Sequence, residues 1–530
     1  MKLFKSIFKA KPKQSIHQPK TANDLLVNEI EIEGTEISSD LQKNEARYNH
    51  LFNKNFDFLL KQIHVGGQDA VALYLKSMVD ENKISEQIME RLAHTQRQNE
   101  SISSIHQLLS FQKDYFASAD VVIVEYEHDV IWHVLLGYTV ILISGINSGL
   151  AINTVSSEQR GIEQSNTQTI IRGPKDSFTE SLRTNVSLIR RRIKNPKLIC
   201  ENIIIGQDTK TSICITYLDY LARPEVVAEI KRRIKELNIN GIFDSGNLEE
   251  LITDQVVTPF PTIFHTDRPD TISQSIIEGK VAVIVDGTPF VLVMPVVLTD
   301  FFKVSEDYYQ GFLMSSFVRM IRYLAFTLSW ILPSLYIGLT TFHHELIPTA
   351  LVFPLQAQRE GVPFPAVVEI LIMEITFEIL REAGVRMPRA VGQAVSIVGT
   401  LVIGQAAVEA GIVSNLLVII VALTAIASFV SPIYSFGNAS RLLRFGLLFI
   451  TSALGLYGMI VGITLVIAHL ASLRSFGTPY LAPLAPFIVE DQKDVFVRLP
   501  MQSLKKRPNY LMDRNMTGKP VNSSQEGGKP

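Results

Sequence analysis

Three glutamates spaced four residues apart, Glu374, Glu378 and Glu382, stand in an otherwise apolar run, AVVEILIMEITFEILREAGV (366–385), and residues so spaced share one face of a helix. Arg381 joins that face between the last two, while Glu369 points elsewhere. A carboxylate at the centre of a bilayer costs about 2.5–3.5 kcal/mol, so the stripe faces water, a partner helix or headgroups rather than acyl chains. Two kinds of chemistry fit it. The carboxylates can attract cations along a pore wall, or they can pair with Arg381, Arg386 and Arg389 at an interface. Gln393, Gln405 and Glu409, in or beside the next apolar run, add to a polar interior. The approach FPLQAQREGVPFP (353–365) carries Pro354, Gly361, Pro363 and Pro365, the pattern of a broken helix at an entry to such a site.

Nothing else in the chain carries chemistry of comparable weight. There is no P-loop, HExxH, GxSxG or Cys/His cluster, and His343-His344-Glu345 is a lone polar loop, so no catalytic residue, metal site or cofactor is expected. Cys200 and Cys214 fit no redox or metal spacing and read as buried thiols in a reducing compartment. Formal net charge is −2, which gives no electrostatic reason to expect nucleic acid.

The elements that hold the acidic stripe are of membrane length. With 530 residues, 47% of them hydrophobic and 19% charged, the chain divides into a soluble part and a membrane part. Apolar runs mark spans near 320–342, 390–408, 412–430 and 445–470, the last 26 residues long without Asp, Glu, Lys or Arg. The striped helix at 366–384 makes a fifth. If it crosses, Arg319 and Arg322, then Arg381, Arg386 and Arg389, then Arg441 and Arg444 all fall on the cytosolic side, as the positive-inside rule requires. Five crossings start the basic tail on the outer side, and Phe476–Phe487, rich in Pro, is a candidate for a return through the bilayer. Small residues at Gly392, Ser396, Thr400 and Gly404, and at Gly458 and Gly462, permit close helix contact within the chain or between copies.

The soluble part, about 49–299, mixes short strands with amphipathic helices and repeats itself. Ala72–Leu75 and Ile215–Leu218 match at an offset of 143, and Gly137–Gly145 and Gly279–Gly287 match at 142. Each glycine-bracketed unit reads as a β-hairpin, turning at Ser144-Gly145 or Asp286-Gly287. The run Val134–Ile152 is therefore strand rather than span. Subdomains are placed at 49–165 and 198–299, with a linker helix at 166–197 that starts at a capping box, Ser177 and Glu180, and ends in the basic cluster Arg190–Lys194, a solvated helix end or a contact with an anion, lipid or partner. Residues 1–48 are expected to be a disordered tail and 490–530 a hydrophilic one. The basic N-terminus has no apolar stretch behind it, which argues against a secretory signal and for a cytosolic head. The fold class is thus a cytosolic α/β head of two related subdomains followed by an all-α multi-span membrane domain, 300–489.

The runs RGPKDSFTESLRTNVSLIRRRIK (172–194), EGKVAVIVDGTPFVLVMP (278–295), FPLQAQREGVPFPAVVEILIMEITFEILREAGVRMP (353–388) and VGQAVSIVGTLVIGQAAVEAGIVS (391–414) resemble the A subunit of the GerA-type spore germinant receptors, across about residues 50–500. The resemblance implies a multi-pass protein of the inner spore membrane with a cytosolic head. It also implies a permease-like B subunit that senses the nutrient, a lipoprotein C subunit, contact with membrane lipid and a homo-oligomer through the membrane domain. On that model the A subunit turns nutrient binding into ion release, as an oligomeric cation channel. The alternative is a subunit of an amino-acid or ion secondary transporter, against which the hydrophobic segments show no inverted repeat.

Overall fold

The computed structural model describes residues 34–511, other than 66, 96–104, 117–119, 157–164, 166–167, 169, 388–403 and 505–506. The chain forms two compact units, one from residues up to 160 with 190–200, the other from 161–189 with 201 onward.

In the first unit, helix α1 (Leu41–Leu51) begins where the Asp40 side chain accepts the Gln42 amide at 3.0 Å. It buries Tyr48, and Phe52 just beyond it is buried too, so order begins inside the segment expected to be a disordered tail. Strands β1 (Phe58–Val65), β2 (Gln68–Leu75), β3 (Val121–Val124), β4 (Thr139–Ile143) and β5 (Gly149–Ile152) pair antiparallel in the order β1-β2-β4-β5-β3. Successive side chains alternate between faces, and here both sets are apolar: Val71, Leu73 and Leu75 pack in one core, Ala70 and Ala72 in another. Helix α2 (Glu127–Leu136) covers the first face and stops at Gly137, whose φ of 94° no L side chain adopts readily. Val134–Ile152 is accordingly a helix end and a hairpin, with Leu142 opposite Gly149.

A second sheet repeats the plan. Strands β6 (Leu198–Ile205), β7 (Thr211–Leu218), β8 (Phe264–Thr266), β9 (Val281–Val285) and β10 (Val291–Met294) take the order β6-β7-β9-β10-β8, the same permutation as the first sheet. A helix ending at a left-handed glycine, Pro269–Glu278 before Gly279, again precedes the hairpin. The duplication expected from two short matches therefore extends to strand order and connections.

The linker helix differs from expectation. Helix α3 runs Leu182–Arg192, and Ser177 does not cap it; its hydroxyl donates to the Asp267 carbonyl at 3.0 Å instead. The Leu182 amide is accepted by Asp286 Oδ1 at 3.0 Å. Nor is the basic cluster a purely solvated end: Arg190 is 2% exposed and donates to both Asp57 oxygens, at 2.9 and 2.7 Å.

Beyond β10 a short turn, Leu298–Phe302, leads into helix α4 (Phe312–Ile337), which continues as a wider turn to Phe342 and begins eight residues before the expected span. Helices α5 (Thr349–Arg359), α6 (Ala366–Arg386) and α7 (Asn415–Phe429) follow, the last shorter than the span expected at 412–430. The span expected at 390–408 lies outside the described residues save for Gly404–Glu409, which is helical. Among the described residues two helical runs, Phe312–Phe342 and Tyr434–Ser472, are long and apolar enough to cross a membrane.

The second of these, α8 (Tyr434–Ser472), is not one straight rod. Its backbone breaks at Gly455, with φ 64° and ψ −149°. The Phe260 ring lies 6.4 Å from Phe436 and 6.3 Å from His469, residues that a straight helix would separate by about 50 Å. The legs before and after Gly455 therefore fold back on each other. A Cβ on Gly458 would stand 2.5 Å from the Ile450 carbonyl oxygen, and one on Gly462 2.5 Å from Leu447, so this glycine pair serves the internal contact. The expected single span at 445–470 is thus a helical hairpin, which carries the chain back to its starting side. The start of the C-terminal segment is hydrogen-bonded to the loop before β8 and to the turn after β10. Ser475 donates to the Thr262 carbonyl at 2.7 Å, the Tyr480 hydroxyl to the Pro261 carbonyl at 2.8 Å, and the Tyr480 carbonyl accepts the Leu298 amide at 2.7 Å.

Candidate functional site

Helix α6 starts after Pro365, an extended residue that cannot donate a helical hydrogen bond, and runs without an internal Gly or Pro until Gly384. That regularity sets Glu374 and Glu378 one turn apart. Arg441 and Arg444 are likewise one turn apart on the first leg of α8, and the two pairs meet. Arg444 is 1% exposed; its Nη1 lies 3.2 Å from Glu374 Oε2 and its Nη2 donates to Glu378 Oε1 at 2.6 Å. Arg441 donates to the other Glu378 oxygen and to Asn438 Oδ1 at 3.0 Å. Two carboxylates and two guanidiniums make a neutral cluster, which is what a low-dielectric setting tolerates.

The rest of the predicted stripe is dispersed. Arg381 lies over the Phe429 ring at 5.1 Å, a cation–π contact. Glu382 and Arg386 form an exposed pair at 2.6 Å, as do Gln405 and Glu409 by a 2.9 Å hydrogen bond. Glu369, on another face, is fully buried and accepts the Ser414 amide at 3.1 Å, with Arg359 Nη2 3.7 Å from its second oxygen. Arg389 and Gln393 lie outside the described residues. Of the entry residues, Pro354 sits within α5, whereas Gly361, Pro363 and Pro365 form the break between α5 and α6.

A second charged knot escaped sequence reading. At the base of α4, Arg319 is fully buried between Asp307, 3.1 Å away, and Asp494, 2.8 Å away, and Arg322 reaches Asp307 at 2.8 Å. Tyr308 donates to Asp494 at 2.6 Å, and Arg498 to the Asp307 carbonyl at 2.5 Å. Burial pushes the Asp494 carboxyl up, but Lys303 and Arg319 beside it outweigh burial and hold it below its ordinary value. Burial pushes the Lys303 ammonium down, but Asp494, Tyr308, Tyr510 and Asp300 around it outweigh burial and keep it well above its ordinary value. Arg441 and Arg444 were visible as an i, i+3 pair, about one turn apart like the i, i+4 glutamates, but they read as flanking charges once the span was begun at Phe445.

A duplicated α/β head continued by helices of membrane length, with charges buried between those helices, defines a protein built to link a soluble module to a membrane. Residues 46–510 match the family model described as Bacillus/Clostridium GerA spore germination protein, and the chain belongs to that family. It is 45% identical over 478 residues to spore germination protein KA of Bacillus subtilis, covering 90% of this chain and 87% of that one. It is 38% identical over 479 residues to spore germination protein A1 of the same organism, covering 90% and 98%. GerLA of Bacillus cereus is 37% identical over 467 residues, covering 88% and 94%. Among solved structures, the N-terminal domain of the A subunit of the Bacillus megaterium spore germinant receptor GerK3 matches at 30% identity with a TM-score of 0.40, covering 50% of this chain and 98% of that one.

Proposed function

We propose that this chain is the A subunit of a nutrient germinant receptor in the inner spore membrane, with its head in the cytosol, and that it couples sensing by a permease-like B subunit and a lipoprotein C subunit to ion release. Membership of the family supports the role in germination. The fold-back at Gly455 supports the topology: it returns the tail to the side of the head, so that Arg319, Arg322, Arg386, Arg474 and Arg498 gather there, as the positive-inside rule asks. The helices α4, α6, α7 and both legs of α8, together with the span expected at 390–408, are the proposed crossings, an even number that leaves the tail on the side of the head.

The observation that carries the mechanism is the closed cluster of Glu374, Glu378, Arg441 and Arg444. Within one protomer it is a clasp between α6 and α8, not a water-lined wall. Ion release through an oligomer of this chain then requires α6 to move against α8, and the clasp sets the position from which it moves. Replacing Glu378 with Gln, in spores whose only receptor contains this chain, is expected to change nutrient-triggered monovalent-cation release at unchanged receptor level. Removing one partner of a buried pair costs about 3–5 kcal/mol. Unchanged release with assembled receptor would remove the clasp from the mechanism. Glu382→Gln, at an exposed pair, should leave release as it was.

A further inference from the structure

A cavity of about 480 Å³ lies where the far end of α4 meets α5, lined by Tyr336, Thr340, Ile347, Val352, Leu355, Gln356, Arg359 and Glu360 among others. That volume is in the range of small-molecule sites. Its depth follows from α4: Phe326 packs on Phe302 beside the head, and Tyr336 and Thr340 stand about 15–20 Å further along the helix. If α4 crosses the membrane, the cavity opens near the bilayer surface opposite the head.

The lining is part apolar and part polar, with Thr340, His344 and Gln356 beside two charged residues of opposite sign, Arg359 and Glu360. Arg359 Nε is buried with no hydrogen-bond partner, and Glu369 Oε1, 3.7 Å from Arg359 Nη2, accepts no hydrogen bond. Glu360 is exposed at the rim. A purely anionic head would meet Glu360 and the buried Glu369; a purely cationic one would meet Arg359. A zwitterion satisfies both. Ile347, Val352 and Leu355 offer an aliphatic wall, and Leu351 and Phe353 on the same helix are 54% and 75% exposed, as suits lipid contact. No residue of α5 is buried, so the helix lacks the packing that would close the space from within the chain.

We infer that this cavity holds the headgroup of a zwitterionic, primary-amine phospholipid, with its phosphate on Arg359, its ammonium towards Glu360 and its chains along Ile347, Val352 and Leu355. The inference rests on the membrane reading above. The test uses the full-length protein purified in detergent and reconstituted in nanodiscs of phosphatidylethanolamine, phosphatidylglycerol or an equal mixture, with retained lipid measured by mass spectrometry. The wild type is expected to retain phosphatidylethanolamine over phosphatidylglycerol from the mixture. Arg359→Gln is expected to lower total retained lipid about tenfold, the loss of one charge-assisted contact. Glu360→Gln, at an exposed position that keeps the fold if Arg359→Gln does not, is expected to keep lipid but lose the preference. Retention at the bulk ratio in all three proteins would overturn the assignment. So would equal protection by soluble phosphoethanolamine, which would make the ligand a free zwitterion. Glu345→Cys should react with a membrane-impermeant maleimide from the side opposite the head. Labelling from the head's side overturns the crossing and this assignment together, whereas correct labelling without lipid preference overturns this assignment alone.

Discussion

The two halves of the head share one permutation of five strands but not one set of charges. Asn55-Phe-Asp57-Phe58 enters the first sheet where Asn195-Pro-Lys197-Leu198 enters the second. Both asparagines accept a backbone amide, Asn55 from Cys200 and Asn195 from Lys197. The residue two positions on has diverged: Asp57 is buried against Arg190 and Ser77, whereas Lys197 is exposed. The glycines have not diverged. Gly137 and Gly279 both end a helix with positive φ, and a Cβ on them would meet the carbonyl oxygens of Met78 and Leu221 at 2.9 and 3.1 Å. Backbone geometry fixed by a glycine is thus common to both copies, while side-chain charge has been spent on separate contacts.

The sharpest test of that difference is also the largest effect. Asp57→Ala should lower local stability in the first unit by about 3–5 kcal/mol, because the Arg190 guanidinium loses its buried carboxylate. Lys197→Ala should change the second by less than about 0.5 kcal/mol. Hydrogen exchange of the β1–β2 and β6–β7 amides reads each unit separately, which a single melting curve would not. Equal costs would mean that Asp57 is not a special feature of the first copy. Next in size are Gly137→Ala and Gly279→Ala, each about 1–3 kcal/mol from the strain of a left-handed alanine. These should agree with each other, and a large mismatch would break the claim that the copies share their backbone.

Acidification should separate the units by sign. In the second, burial pushes Asp300 up, but Lys280 and Lys303 outweigh it and hold the carboxyl below its ordinary 3.8; at Asp244 burial is outweighed by hydrogen bonds from Thr288, Gly246 and Ser245. A depressed carboxyl stabilises the fold above its unfolded value and loses that contribution as pH falls through the folded one. In the first unit burial raises Glu127 above 4.5, against Arg47, so its contribution is present below that value and is lost as pH rises through the raised one. Taking the protein from about pH 6 to about pH 3 should therefore weaken exchange protection in β9 and β10 more than in β4 and β5. Uniform weakening would sink the sign argument.

Much of the head was legible because glycine pairs and alternating apolar residues are local signals. Gly137, Gly145, Gly279 and Gly287 announced both hairpins at matching intervals. What failed was non-local. The Ser177 and Glu180 motif was complete in sequence, yet the Ser177 hydroxyl is taken by Asp267, 90 residues away. Arg190 looked like a solvated helix end because its partner Asp57 is 133 residues upstream. The acidic stripe was found, but not its partners: Arg441 and Arg444 precede the apolar run and read as its flank. The reversal at Gly455 was hidden for another reason. The run from Phe445 to Leu470 has no charge and several glycines, and composition does not say which glycine turns the chain. Only the crowding of Gly458 on Ile450 and of Gly462 on Leu447 does.

The smallest expected effect refines the comparison at the hairpin turns. Gly145 and Gly287 have φ of 87° and 92° with no atom within 4 Å of a built Cβ, so alanine at either costs only the backbone term, about 1–2 kcal/mol, and equally. The residue before each glycine should not behave equally. Asp286 Oδ1 accepts the Leu182 amide at 3.0 Å and so takes up one of the free N–H groups that open α3. Asp286→Ala should therefore cost about 1 kcal/mol, the usual effect of losing a helix cap, with weakened exchange protection at the start of α3. Ser144→Ala has no such helix to release and should fall within about 0.5 kcal/mol of wild type. If both substitutions proved silent, α3 would be held by its apolar face alone, and the second hairpin would have gained nothing over the first from its aspartate.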